Sequence, residues 1–204
     1  MFFNLKKRFT SVKIADILKI LKEISILRLI LGYTVGITVF LFLLPLLFIK
    51  VSLFLDRTFV LSPFLPLPLG WLIALPIVLF GLFWALWSNV FLLIEGRGGP
   101  VEGFGIAISP PTKKLVVKGP YRYTRNPMVF GTLTIYLGIG FYISSPTYIL
   151  FVLPCFWLAT YVILTVFEEK RLVRDFDNEY IEYKRQVPMY FPWAFFLKTF
   201  RKNS

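Results

Sequence analysis

Apolar and charged positions are sharply segregated along this chain. Uncharged runs cover residues 29 to 49, 58 to 94 and 126 to 167, and short charged segments separate them. About 20 apolar residues suffice for one helix to cross a hydrocarbon core. The first run predicts one span from Leu29 to Ile49, and the second predicts a span from Leu69 to Ile94 with Pro76 inside it. The third is twice as long as one crossing needs, so it must hold two. Its first half, Met128 to Ile143, falls short of a full crossing before Ser144-Ser145-Pro146 interrupts it, so it is a short helix that thins the membrane locally. Thr147 to Phe167 supplies the fourth span.

Between the spans, Lys50 to Pro68 carries Asp56, Arg57, Pro63, Pro66 and Pro68, and reads as an external loop with little helix. At the start, Ile14, Ile17, Leu18, Leu21 and Ile24 fall at helical spacing beside Lys13, Lys19 and Lys22, which predicts a helix lying in the interface. Glu95 to Lys118 is rich in glycine and reads as a mobile loop without the spacing of a nucleotide-phosphate loop. Residues 168 to 186 predict an amphipathic helix with Leu172, Phe176, Tyr180 and Tyr183 on one stripe, ended by Val187-Pro188. Phe191 to Leu197, with Trp193, predicts an interfacial anchor. The organisation expected is an interfacial segment 1–26, two spans within 27–94, and a catalytic region 95–204.

Composition agrees: 57% hydrophobic and 19% aromatic residues, with mean hydropathy +0.71, describe an all-α integral membrane protein. The net charge of +12 is distributed topologically and forms no nucleic-acid patch. Of 23 Lys and Arg, only Lys50 and Arg57 fall between the first two spans, so four spans with both termini cytosolic satisfy the positive-inside rule. The chain has no histidine and one cysteine, Cys155, which excludes imidazole bases, His-ligated metals, Ser-His triads and intrachain disulfides.

Candidate chemistry gathers at the two ends of the last hairpin. Arg122, Arg125 and Asn126-Pro127 put two guanidinium groups and an amide at a helix N-terminus, a combination suited to an anion. Glu168 and Glu169 stand where the fourth span ends; neighbours on a helix point about 100° apart, so one faces a site while the other faces headgroups or Arg171. A pocket positive at one end and negative at the other suits a zwitterion. Read as ordinary interface residues, the same arginines, tyrosines and glutamates are anchors of an aromatic belt and charge balance.

The ordered set Gly119-Pro120-Tyr121-Arg122-Tyr123-Thr124-Arg125-Asn126-Pro127-Met128, Gly131, Tyr136-Leu137-Gly138, Glu168-Glu169, Glu179-Tyr180, Tyr183 and Val187-Pro188 resembles the membrane methyltransferases related to isoprenylcysteine carboxyl methyltransferase and phosphatidylethanolamine N-methyltransferase. The resemblance covers roughly residues 95 to 192. It implies an S-adenosylmethionine pocket, with Lys118, Gly119, Pro120, Tyr121, Arg122, Tyr123, Arg125, Asn126, Pro127 and Gly131 shaping it. Glu168 and Glu169 would hold its ribose or amino end, and Tyr180 and Tyr183 would close it. Glu168, Glu169, Arg125 and Asn126 are the catalytic candidates it implies. Carboxyl-methylating relatives often have histidine in place of Asn126 and arginine in place of Met189, whereas phospholipid N-methylating relatives can carry Asn-Pro-Met, as this chain does. The expected acceptor is a lipid or small hydrophobic molecule from the bilayer, with neither metal nor nucleic acid. Sterol-type membrane reductases using NADPH share a similar C-terminal region, and an inactive scaffold of the same fold is the third reading.

Overall fold

A computed structural model describes residues 26–97, 102–103, 106–107 and 112–193. The interfacial segment 1–26 lies outside the described residues apart from Ile26, as do most of the glycine-rich loop and the anchor beyond Trp193. Four helices carry the fold: α1 (Leu27–Thr58), α2 (Leu67–Ile94), α3 (Pro127–Ile143) and α4 (Tyr148–Gln186). Three of them, α1, α2 and α4, are long and apolar enough to cross a membrane, and α3 is a shorter apolar helix of 17 residues. The protein is thus an all-α integral membrane protein. Of the loop between α2 and α3, Glu102–Gly103 pairs antiparallel with Ile106–Ala107.

One expectation needs correction. Lys50 to Thr58 is helix, the closing turns of α1, and only the stretch 59–66 is a connection. The polar residues that suggested a loop are accommodated. Lys50 is exposed, where its long stem can carry the ammonium outward. Asp56 is buried but accepts hydrogen bonds from Ser145 Oγ, Thr147 N at 3.1 Å and Thr147 Oγ1 at 2.5 Å. Leu65 N donates to Ser144 Oγ at 2.6 Å. The end of α1 and the following connection therefore clasp the α3–α4 turn, where Ser144 (φ 51) ends α3 and Ser145 Oγ receives the amide of Tyr148 at 3.1 Å.

The tightest packing is between α2 and α3. A Cβ on Gly81 would stand 2.7 Å from the Gly131 carbonyl oxygen, one on Gly131 2.7 Å from the Ala85 nitrogen, and one on Gly70 2.8 Å from the Phe141 carbonyl oxygen. Small residues let two membrane helices approach backbone to backbone, where dispersion replaces the hydrophobic effect that lipid cannot supply. α1 and α4 join this pair through aromatics: Tyr136 stacks on Phe156 at 5.0 Å, and Phe48 meets both edge-on. Tyr136 also donates its hydroxyl hydrogen to the Phe40 carbonyl at 2.7 Å, within a π-helical segment of α1 (Thr38–Leu43) where the regular ladder is interrupted.

α4 is not one straight rod. Its π-helical segments are Tyr148–Val152 and Leu164–Glu168, and two helical pieces meet at Asp177, whose φ of 44° and ψ of −125° belong to a tight turn. The tail after Asp177 folds back toward the start of α3. Glu169 and Lys184 would be about 22 Å apart along a straight helix axis. Instead they touch.

Candidate active site

The site forms where α3 begins and the apolar part of α4 ends. Arg125 N donates to the Pro188 carbonyl at 2.8 Å, Thr124 Oγ1 to the Met189 carbonyl at 2.9 Å, and Asn126 Nδ2 to the same carbonyl at 3.2 Å. These bonds tie the tail to the start of α3. They also hold Arg125 so that its guanidinium turns inward, where it pairs with the Glu169 carboxylate. Both side chains are about nine-tenths buried. Lys184 Nζ reaches the other oxygen of Glu169 at 2.5 Å, and Arg125 Nη1 donates to the Tyr180 hydroxyl at 3.3 Å. Arg125 Nε is buried with no hydrogen-bond partner among the described residues. The cluster of two cations and one carboxylate carries a surplus positive charge.

Gly119–Arg122 is a single 3-10 turn leading into this corner. Gly119 (φ 58) is required twice over: an L-residue disfavours that backbone, and a Cβ would lie 2.5 Å from the Phe91 ring. Buried Pro120 sets the turn, and its carbonyl accepts from Tyr123 N at 3.0 Å. The Tyr121 carbonyl receives the Tyr183 hydroxyl at 2.6 Å, and the Tyr121 hydroxyl lies 3.1 Å from Ser88 Oγ on α2. Burial pushes the Tyr121 phenol above its ordinary value; the Ser88 hydrogen bond opposes that rise and the nearby Glu168 charge adds to it. Tyr121 is therefore a neutral hydrogen-bonding group throughout the physiological range. Below it, Trp84, Tyr123 and Phe130 form a buried aromatic floor with Phe80 and Trp87 packed against it.

Several candidates lie apart from this cluster. Arg122 is exposed, with its guanidinium 4.4 Å above the Tyr123 ring, so Arg125 alone of the two arginines enters the site. Lys118 is exposed and pairs with Glu95 at 3.4 Å. Gly131 serves the α2 seam. Glu168 faces Arg171, at 2.7 Å, and is more open than Glu169. The Asn126 side chain does not cap α3, and Pro127, buried at its first position, starts the helix. Sequence reasoning missed Lys184, Ser88 and the Met189 carbonyl. Lys184 follows Tyr183 directly, yet only the turn at Asp177 brings it to Glu169. Among the described residues no group of His, Cys, Asp and Glu could hold a metal ion.

An apolar helical fold carrying a buried, ion-paired polar corner at one end marks a membrane protein with a built polar site beside lipid. The chain belongs to the phospholipid methyltransferase family, whose model matches residues 70–179, more than half its length. That match spans most of α2, all of α3, the Gly119–Arg122 turn, both glutamates and the kink at Asp177. No curated protein and no solved structure matches it.

Proposed function

We propose that the chain transfers a methyl group from S-adenosylmethionine to a phospholipid or similar lipid-like acceptor, and that an amine headgroup is the group methylated. The observation that carries this reading is the Arg125–Glu169–Lys184 cluster, buried beside aromatic walls, with two of its three members inside the matched region. S-adenosylmethionine, when bound, supplies a methyl group on a sulfonium centre. The residues fit such a zwitterion. Arg125, with a buried Nε to spare, and Lys184 suit its carboxylate, while Glu169 suits its ammonium or ribose hydroxyls. Tyr180 and Tyr183 on the folded-back tail exclude water, which a displacement at carbon requires of its site.

An ammonium headgroup must lose a proton before it acts as a nucleophile. No histidine is available, so a carboxylate takes that role, and Glu168, the more open glutamate, is the better placed. Met189, where a carboxyl-methylating relative would have arginine, also favours an amine over a carboxylate acceptor. The distribution of Lys and Arg along the chain supports a cytosolic face for this corner, where the soluble methyl donor is found.

The test is direct. Membranes containing the protein are incubated with methyl-labelled S-adenosylmethionine, and lipids are extracted and resolved. Label in amine headgroups supports the reading. Base-labile methyl ester label moves the acceptor to a carboxylate. Absence of S-adenosylhomocysteine binding by calorimetry, together with NADPH oxidation on an unsaturated sterol, overturns it in favour of a reductase.

A further inference from the structure

An apolar groove lies within the membrane-spanning part of the protein. α3 and α4 touch through the Tyr136–Phe156 stack, and Arg125, just before α3, pairs with Glu169 of α4, but alongside these contacts a space of about 350 Å³ remains. Leu133, Thr134 and Leu137 form one wall, Leu153 and Trp157 the other, and Tyr190 and Phe191 the roof. Its two hydroxyl groups are already engaged. Thr134 Oγ1 donates to the Phe130 carbonyl at 2.8 Å, and the Tyr190 hydroxyl lies 3.2 Å from Thr160 Oγ1. The rest of the lining is almost entirely aliphatic and aromatic, so hydrocarbon is the chemistry the groove accepts.

The groove is continuous with the polar corner. Phe130, which lines it, is one helical turn from Asn126 and donates its amide to the Asn126 carbonyl at 3.0 Å. Tyr190 follows Met189, whose carbonyl Thr124 and Asn126 both hold. From Phe130 to Leu137 the wall extends about 10 Å along α3. We infer that this groove binds one hydrocarbon chain of the methyl acceptor and that its upper end brings the headgroup alongside the methyl donor held at the polar corner. The inference rests on the proposed methyl transfer to a lipid. It adds the part of the lipid that is recognised: Leu137, Trp157 and Phe191 set which chains are accepted, while the polar corner handles the head. Trp157 and Phe191 are 48% and 44% exposed, which leaves the side of the groove open to the bilayer.

The probe is phosphatidylethanolamine with a diazirine in one acyl chain, incorporated with the whole protein into dioleoylphosphatidylcholine vesicles. After irradiation, adducts are mapped by peptide mass spectrometry. Label concentrated on Leu133, Leu137, Leu153 and Trp157, and reduced several-fold by Leu137→Trp, is the expected result. Even labelling of lipid-facing residues such as Leu47, Leu72 and Leu150, unchanged by Leu137→Trp, overturns the inference. A kinetic arm uses labelled S-adenosylmethionine with dioleoyl and dihexanoyl phosphatidylethanolamine. Leu137→Trp should raise KM for the dioleoyl lipid about tenfold, the scale of losing burial of two methylenes, and leave the dihexanoyl KM nearly unchanged. An equal rise for both overturns the groove. Methylation of neither lipid overturns the amine acceptor, and the labelling pattern then decides the groove by itself. Should Leu137→Trp fail to fold, Leu133→Trp blocks the same wall and the wild-type map stands without it.

Discussion

Glu169→Gln separates what the buried charge cluster does for stability from what it does for ligand binding. Arg125 and Glu169 retain 10% and 8% side-chain exposure, whereas Lys184 keeps 46%. Breaking a buried pair from one side costs about 3–5 kcal/mol, because the remaining charge stays desolvated. In Glu169→Gln the amide still accepts one hydrogen bond from Arg125, which places the loss near the lower figure, about 3 kcal/mol. Lys184→Ala removes a half-exposed partner that water replaces, and should cost at most about 1 kcal/mol. For a chain of this size about 1 kcal/mol moves the unfolding midpoint by about 2–4 °C, so the two variants should differ by several degrees.

The assay is thermal unfolding of the detergent-solubilised protein, followed by tryptophan fluorescence. Arg125→Met with Glu169→Met removes both charges at similar volume and should recover most of the stability that Glu169→Gln loses. It should not recover S-adenosylhomocysteine binding, measured by calorimetry. Equal midpoint shifts for Glu169→Gln and Lys184→Ala, or a double variant as unstable as the two single losses combined, would refute the buried-pair argument. Full ligand affinity in the double variant would sink the assignment of this corner to the methyl donor.

Three further outcomes follow from the packing. Gly131→Ala drives a Cβ to within 2.7 Å of the α2 backbone and should lower stability by about 1–3 kcal/mol, measured by the same unfolding assay, since neither backbone can yield without separating the helices. Asp56→Ala strips the acceptor from Ser145 and from the Thr147 amide and hydroxyl, at about 1–3 kcal/mol for a buried donor left unmet. Asp56→Asn, which keeps one acceptor oxygen, should be intermediate, and limited proteolysis near Ser144 would report the loosened clasp. Tyr183→Phe removes the 2.6 Å bond to the Tyr121 carbonyl, worth about 1 kcal/mol, and should lower the unfolding midpoint by about 2–4 °C in the same assay.

The helical membrane class was legible because hydropathy summed over the length of a bilayer crossing is a bulk property that survives local error. Ends and irregularities were not. Lys50 and Asp56 looked like a loop because a charge in sequence carries no information about its partner, and the partners of Asp56 lie 89 and 91 positions away. The Gly119–Met128 block, Glu169, Tyr180 and Tyr183 stand out as an ordered set in the sequence, and the fold brings Arg125 into contact with both Glu169 and Tyr180. Lys184 escaped because periodicity assumes a straight helix. Asp177-Asn178 is the local signal of the turn that exposes this error, since both residue types tolerate positive φ.

Irregular helix is the device that joins these parts. A π-helical turn adds a residue without ending the helix, so every side chain beyond it is rotated relative to those before. In α4 one such segment, Leu164–Glu168, stands between lipid-exposed residues such as Tyr161 and Val162 and the buried Glu169. A continuous regular helix would carry one apolar stripe through the bilayer and keep the same facing beyond it. The inserted turn resets that facing at the membrane boundary, so Glu169 points to Arg125 while the residues before it still face lipid. The turn at Asp177 then returns Tyr180, Tyr183 and Lys184 to the same corner, using backbone that L-residues rarely adopt. Two local departures thus bring Glu169, Tyr180, Tyr183 and Lys184, from a single hydrophobic span and its tail, to one polar corner. The start of α3, fixed against α2 by the glycine seam, holds Arg125 in place to meet them.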